Sequence, residues 1–237
     1  METAGYVTLT RQSGLMREME IIAHNIANAA TTGFRQQGLV FSEYIEAVQN
    51  GDSLSMAAAR VKKTSLAQGI LTQTGNPLDL AIEGNGYFQL QTNDGVRLTR
   101  AGAFNVNATG DIVSADGHLV LDIDGAPINV PPGEADVTVA ADGTLSMGDQ
   151  LLGQLGIVEP EQGADLRREA GVLFQTDSAL VASPDGLVLQ GHLEGSNVDA
   201  ISQLTRLIEV QRAYEMGQRL LDMGDERSKS ALQTLIK

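Results

Sequence analysis

The sequence predicts an α+β protein, with long N- and C-terminal helices forming a coiled-coil-like pair and a central antiparallel β-domain between them. Three observations carry this: charge, glycine and proline all change at the same two places along the 237 residues. Residues 1–70 and 196–237 each hold six basic and six acidic residues. Residues 71–195 hold four basic and eighteen acidic residues, and so the entire net charge of −14. Eighteen of the 26 glycines and all six prolines lie in that middle segment. Two neutral ends poor in helix breakers thus flank an acidic, turn-rich centre. The expected division is 1–70 (N-terminal helix and linker), 71–195 (acidic β-domain) and 196–237 (C-terminal helix).

In the first segment Leu15, Met19, Ile22 and Ile26 recur at spacings of four, three and four, the rhythm of a coiled-coil seam. Ala23, Ala27, Ala29 and Ala30 add helix propensity. The expected helix covers 6–30 and spans roughly 37 Å at 1.5 Å per residue. Thr31-Thr32-Gly33 is expected to end it, with Gly33 as a left-handed cap. Phe41, Tyr44, Ile45 and Val48 suggest a short amphipathic helix, and 50–53 a turn or link.

The middle segment reads as β. Five Asp-Gly pairs, at 94, 116, 124, 142 and 185, punctuate it, with Asn85-Gly86 and Thr109-Gly110 between. Such dipeptides favour tight turns because Gly accepts positive φ. Short apolar or alternating runs lie between them, at 87–91, 112–114, 118–123, 128–130, 137–140, 156–158 and 187–190. This spacing suggests a compact antiparallel sandwich or barrel-like domain with a core of Leu, Ile and Val.

The last segment returns to helix. Ser196 or Asn197 is expected to N-cap it, and Asp199 suits its first turn. Ile201, Leu204 and Ile208 begin an apolar stripe; Leu207, Tyr214 and Leu221 recur every seven residues beside it. One helix from Val198 to Leu235 follows, with a bend expected near Gly217 or Gly224.

A long helix with a narrow seam is marginal in water and needs a partner along its length. The simplest partner is the other terminal helix. Ala27, Ala30, Val210 and Ala213 lie off the seam, and a single pair would leave them wet. The pair therefore reads as built to pack against further copies or relatives. Asn25 and Asn28 share one helix face. Buried, such amides fix register; exposed, they are a solvated face near a helix end. The residues alone leave both readings open.

Several classes are disfavoured. The acidic balance argues against nucleic acid, which needs a basic face. The absence of Cys removes disulfides, thiolate metal sites and cysteine nucleophiles. No apolar run has membrane-spanning length, and the first fourteen residues have no apolar h-region, so neither membrane insertion nor a cleaved secretory signal is expected. His24, His118 and His192 form no metal-ligand motif, and no phosphate loop, dinucleotide fingerprint or nucleophile elbow occurs. Asp122-x-Asp124-Gly125 opens like a calcium loop but has Gly133 where the closing Glu belongs. Arg100, Arg167 and Arg168 read as counter-charges of an acidic domain. No catalytic residue, cofactor or metal is expected. A ligand-binding β-domain with accessory helices is the rival class, and a hydrolase the least favoured.

Four segments also resemble a known family. His24-Asn25-Ile26-Ala27-Asn28-Ala29-Ala30-Thr31-Thr32-Gly33-Phe34-Arg35 resembles the N-terminal signature of the bacterial flagellar rod and hook proteins. Gly75-Asn76-Pro77-Leu78-Asp79-Leu80-Ala81-Ile82-Glu83-Gly84-Asn85-Gly86-Tyr87-Phe88 is similar to the family's central motif. Leu98-Thr99-Arg100-Ala101-Gly102-Ala103-Phe104 resembles the β-hairpin that continues it. Leu193-Glu194-Gly195-Ser196-Asn197-Val198 and Arg212-Ala213-Tyr214-Glu215 are similar to the C-terminal part. The ending, 224–228, is more like the proximal-rod branch; the Tyr214 run suits the distal-rod branch equally.

The resemblance implies a non-enzymatic structural subunit of the proximal rod, the drive shaft of the basal body, or alternatively a distal-rod or hook-type axial subunit. It implies location in the rod within the periplasmic space. The implied partners are other rod subunits, copies of itself and the flagellar type III export apparatus. The expected interface residues are Ile22, Asn25, Ile26 and Asn28 for register of the N-terminal helix, Gly33 and Phe34 for the turn that anchors the chain, and Asn197, Val198, Leu204, Ile208 and Tyr214 for docking the C-terminal helix.

Overall fold

Two helices bracket the chain in the computed structural model, which describes residues 2–47, 53–131, 137–161, 165–169 and 171–235. The contacts divide it into two units. One comprises Met1–Ala27, Gln36–Ser65 and Val198–Lys237; the other comprises Asn28–Arg35 and Leu66–Asn197.

The first unit holds helix α1 (Glu2–Ala27), strands β1 (Gln37–Ala47) and β2 (Ser53–Thr64), and helix α2 (Ala200–Leu235). The helices run antiparallel: Gln12 of α1 donates to the Tyr214 carbonyl, and Asn25, farther along α1, donates to Gln203, earlier in α2. Of the expected seam, Ile22 is buried and Leu15, Met19 and Ile26 are half-buried. Helix α1 ends at Ala27, three residues short of the expected end. A turn replaces the last residues, with the Thr31 amide donating to the Asn28 carbonyl. Gly33 does adopt φ +70°, but not as a helix cap. A Cβ there would stand 2.3 Å from the Ala101 nitrogen, so a close backbone crossing sets its conformation.

β1 and β2 form an antiparallel hairpin where a short helix was expected. Apolar residues at 41, 44 and 45 fit one helix face and a strand alike, and short runs do not separate the two. The β-branched and aromatic content of Val40-Phe41-Ser42-Glu43-Tyr44-Ile45 favours the extended form. Val48 and residues 50–52 of the expected turn lie outside the described residues. α2 starts later than expected, and its cap is Asp199 rather than Ser196 or Asn197. The Asp199 carboxylate accepts from the Ile201 amide and the Ser202 hydroxyl, and these bonds, that to Ser202 foremost, hold its pKa below the ordinary value. α2 runs as one helix across Gly217 and Gly224. At Gly217 the Gln12 side chain of α1 lies where a Cβ would stand, 2.2 Å from its Nε2.

The second unit is β throughout. It contains β3 (Leu71–Gln73), β4 (Leu80–Glu83), β5 (Tyr87–Thr92), β6 (Gly95–Thr99), β7 (Phe104–Val106), β8 (Ile112–Ser114) and β9 (Leu119–Val120). β10 (Val137–Val139), β11 (Thr144–Met147), β12 (Gln150–Gln154), β13 (Ile157–Pro160) and β14 (Arg167–Arg168) follow. β15 (Leu173–Gln175), β16 (Leu180–Ala182), β17 (Leu187–Gln190) and β18 (His192–Glu194) complete it. The largest sheet runs β14-β15-β6-β5-β9-β8-β7, with β13 also on β5 and β16 on β13. β10-β11-β12 form a second sheet, and β17 pairs with β4 and β18 with β3. The expected strand at 128–130 is reduced to a single bridge, Asp111 to Asn129. The main core gathers Leu80, Ile82, Leu90, Val120, Leu145 and Val188 with Phe88 and Phe104, whose rings meet edge to face at 5.2 Å. Its aliphatic bias is the one the composition predicts.

Candidate functional site

α2 carries apolar side chains on two opposite faces. At about 100° per residue, Gln203, Leu207, Val210, Tyr214 and Gly217 share one face. That face turns inward: Val210 is 1% exposed, and Gln203 and Tyr214 meet α1. On the face turned away stand Ile201, Leu204, Ile208 and Met223, and toward its edge Met216 and Leu220, each about half exposed or more. Leu9 and Met16 of α1 are exposed as well. A groove of about 480 Å³ between the helices is lined by Gln12, Leu15, Ala213, Met216 and Leu220, among others. These exposed side chains form an apolar arc along α2.

Asn25 fixes the packing beneath that arc. It is 1% exposed. Its Nδ2 donates to the Gln37 carbonyl at 2.8 Å and to Oε1 of Gln203 at 3.1 Å, while its Oδ1 accepts from the Gln37 amide at 2.9 Å. The amide thus joins α1, β1 and α2, which decides between the two open readings for this residue. Asn28 instead caps the turn after α1, accepting from Thr31. Arg206 of α2 adds an ion pair with Glu18 of α1 at 2.7 Å.

The second unit contains a clasp that the sequence reading missed. Arg35, Arg100 and Glu194 are buried together. Glu194 accepts from Arg35 at 2.8 Å, from Arg100 at 3.2 Å and from the Gly69 amide at 3.1 Å. Arg35 also donates to the carbonyls of Leu66 and Ala67, and Arg100 to those of Ile82 and Gly84. Burial pulls the Arg100 guanidinium below its ordinary pKa despite Glu194. Arg168 donates to the Arg35 carbonyl and stacks on the rings of Phe34 and Phe174, 4.3 and 4.7 Å from their centroids. Burial lowers its pKa to about 10. Burial likewise raises Tyr87, whose ring Arg100 overlies. Arg100 and Arg168 are therefore not diffuse counter-charges. Arg167 does pair with exposed Asp177.

This clasp ties two distant chain segments side by side. The Gly33 amide donates to the Glu194 carbonyl at 2.7 Å and the Asn197 amide to the Phe34 carbonyl at 3.2 Å. Asn197 Nδ2 reaches the Ala67 carbonyl at 2.7 Å. Phe34 is fully buried. Gly33, Phe34 and Asn197 thus meet in one place. Asn25 and Tyr214 lie on the helix–helix side together with buried Ile22 and half-buried Ile26, whereas Leu204 and Ile208 lie on the uncovered arc. Val198 is half-buried between Asn197 and the Asp199 cap. All four segments of the family resemblance supply residues to the clasp, so its signal was present in the quoted motifs. Among the described residues, no group of His, Asp and Glu is arranged to hold a metal ion.

Comparison with known proteins places these features in a family context. Residues 6–35 match the family described as "Flagella basal body rod protein", 81–147 the "Flagellar hook protein FlgE/F/G D1 domain", and 189–234 the "Flagellar basal body rod FlgEFG protein C-terminal". The chain is 39% identical to the flagellar basal-body rod protein FlgF of Caulobacter vibrioides, covering 100% of this chain and 99% of the relative. It is 37% identical to FlgF of Mesorhizobium japonicum, covering 99% and 98%. FlgG of Agrobacterium fabrum is 35% identical, covering 97% and 98%.

Proposed function

The chain belongs to the family of flagellar basal-body rod proteins, and from that premise we propose how it assembles. It is a structural subunit of the rod in the flagellar basal body, and the FlgF-named relatives favour the proximal rod over the FlgG-type alternative. Its work is mechanical: it joins other rod subunits and copies of itself, and transmits torque passively rather than catalysing a reaction. It reaches the rod as a substrate of the flagellar type III export apparatus. No described helix is long and apolar enough to cross a membrane.

The observation that carries the assembly reading is the apolar arc of α2 opposite Val210. Leu204 and Ile208 dock on a neighbouring subunit, each gaining about 1 kcal/mol from the surface still exposed. Ile22, Asn25, Ile26 and Tyr214 hold the helix pair that presents them. Asn28, Gly33, Phe34, Asn197 and Val198 hold the turns through which the chain enters and leaves that pair.

The test is Leu204→Asp/Ile208→Asp in the full chain. Both positions are exposed, so the isolated protein keeps its stability to within about 0.5 kcal/mol per site. Incorporation into basal bodies and motility are lost. Normal motility in this variant overturns the reading.

A further inference from the structure

Beyond Gln37, whose amide and carbonyl bond to Asn25, both edges of the β1–β2 hairpin are open to a further strand among the described residues. Its strands are eleven and twelve residues long, and among the described residues no third strand joins either one. A two-stranded ribbon is marginal in water, and each open edge presents a row of backbone donors and acceptors. The charges are sorted by strand. β1 holds Glu43 and Glu46 and no basic residue; β2 holds Arg60, Lys62 and Lys63 and no acidic one.

We propose that β2 of one copy pairs antiparallel with β1 of the next copy, so that hairpins join head to tail through their open edges. The inference deepens the assembly reading above and rests on it. Backbone ladders supply affinity, as in other strand-addition contacts. Charge supplies the choice of edge. A β1–β1 contact gathers four carboxylates and a β2–β2 contact six cations, whereas β1–β2 sets opposite charges together. Sliding the neighbour until its Glu43 stands opposite Lys63 also sets its Glu46 opposite Arg60 and its Ile45 opposite Val61. A contact between two different edges is heterologous, so it propagates from copy to copy instead of closing as a two-fold dimer.

The chain contains no cysteine, so introduced thiols are the only ones present. Within one hairpin Ile45 stands opposite Ser55 and Val61 opposite Val40. Positions 45 and 61 are thus five residues out of step, roughly 17 Å. A disulfide needs Cα atoms within about 7 Å, so Ile45→Cys/Val61→Cys can bridge only between molecules. Mild oxidation of this full-length variant should give dimers, trimers and higher bands on a non-reducing gel. Adding Glu43→Lys/Glu46→Lys makes both strands basic; adding Arg60→Glu/Lys62→Glu/Lys63→Glu makes both acidic. Each alone should lose the ladder at least about tenfold, and an equal mixture should regain it.

A ladder undiminished in either single-sign variant, or a mixture that stays monomeric with unchanged circular dichroism, overturns the pairing. So does a ladder that forms only when a different rod protein is added. Basal-body incorporation separates the two readings. If the charge variants incorporate normally while Leu204→Asp/Ile208→Asp does not, strand pairing fails and the helix-docking reading stands. If the helix variant also incorporates, the assembly reading itself fails.

Discussion

Asn25 and Gln37 exchange two hydrogen bonds, carboxamide to backbone, in the way two paired strand residues do. A helix side chain thereby acts as the edge partner of the first residue of β1. The same amide reaches Gln203, so one residue sets the relative register of three elements. Asn25→Ala leaves the Gln37 amide and carbonyl unpartnered in a buried site, at about 1–3 kcal/mol for each group left unsatisfied. The expected result is faster amide exchange at Gln37, spreading into the hairpin, while exchange in β4–β6 is unchanged. Equal protection at Gln37 in the variant would contradict this role.

Among the described residues, Glu194 is the single carboxylate paired with Arg35 and Arg100. Glu194→Gln keeps the shape and an acceptor for the Gly69 amide but leaves two buried guanidinium groups without a counter-charge. Breaking a buried pair by removing one partner costs about 3–5 kcal/mol. The midpoint of urea unfolding of the β-unit should fall accordingly, and Arg167→Gln, at an exposed pair, should leave it within about 0.5 kcal/mol. Similar midpoints for the two variants would show that the clasp contributes little.

Asp199 caps α2 with a carboxylate held below its ordinary pKa by the Ser202 hydroxyl and the Ile201 amide. A depressed acid stabilises the fold above its unfolded pKa and loses that contribution as pH falls through the folded value. Asp199→Asn keeps a cap without the charge. Amide protection at Ile201 and Gln203 should therefore be greater in the native chain at pH 7, and the two should converge as pH drops below about 4. A difference that persists undiminished in acid would rule out the charge as its source.

What the sequence made legible follows from how local each signal is. The 3–4 spacing of Leu15, Met19, Ile22 and Ile26 reports on one helix, and Asp-Gly turns report on single hairpins, so both helices and most central strands were readable. The β1–β2 hairpin was not, because Phe41, Tyr44 and Ile45 satisfy two periodicities at once. The role of Gly33 was misassigned because its constraint comes from the backbone of Ala101, far away in sequence. The clasp was hidden for the same reason. Arg35, Arg100, Arg168 and Glu194 look like four ordinary surface charges until folding buries the first two beside the last. The uncovered arc was partly visible, since Ile201, Leu204 and Ile208 were read as a stripe. Which side of α2 would stay wet depended on where Val210 packs.

The hydrogen bond from Asn197 to the Phe34 carbonyl means that the polypeptide departs for the β-unit and returns through one doorway. Whatever is spliced in beyond that doorway leaves the spacing of its two posts untouched. Alignments as long as 263 positions against a chain of 237 residues show that relatives do carry extra length. Length added between 66 and 197 would therefore leave the two ends of the β-unit side by side, at a closure cost that grows only slowly with loop length.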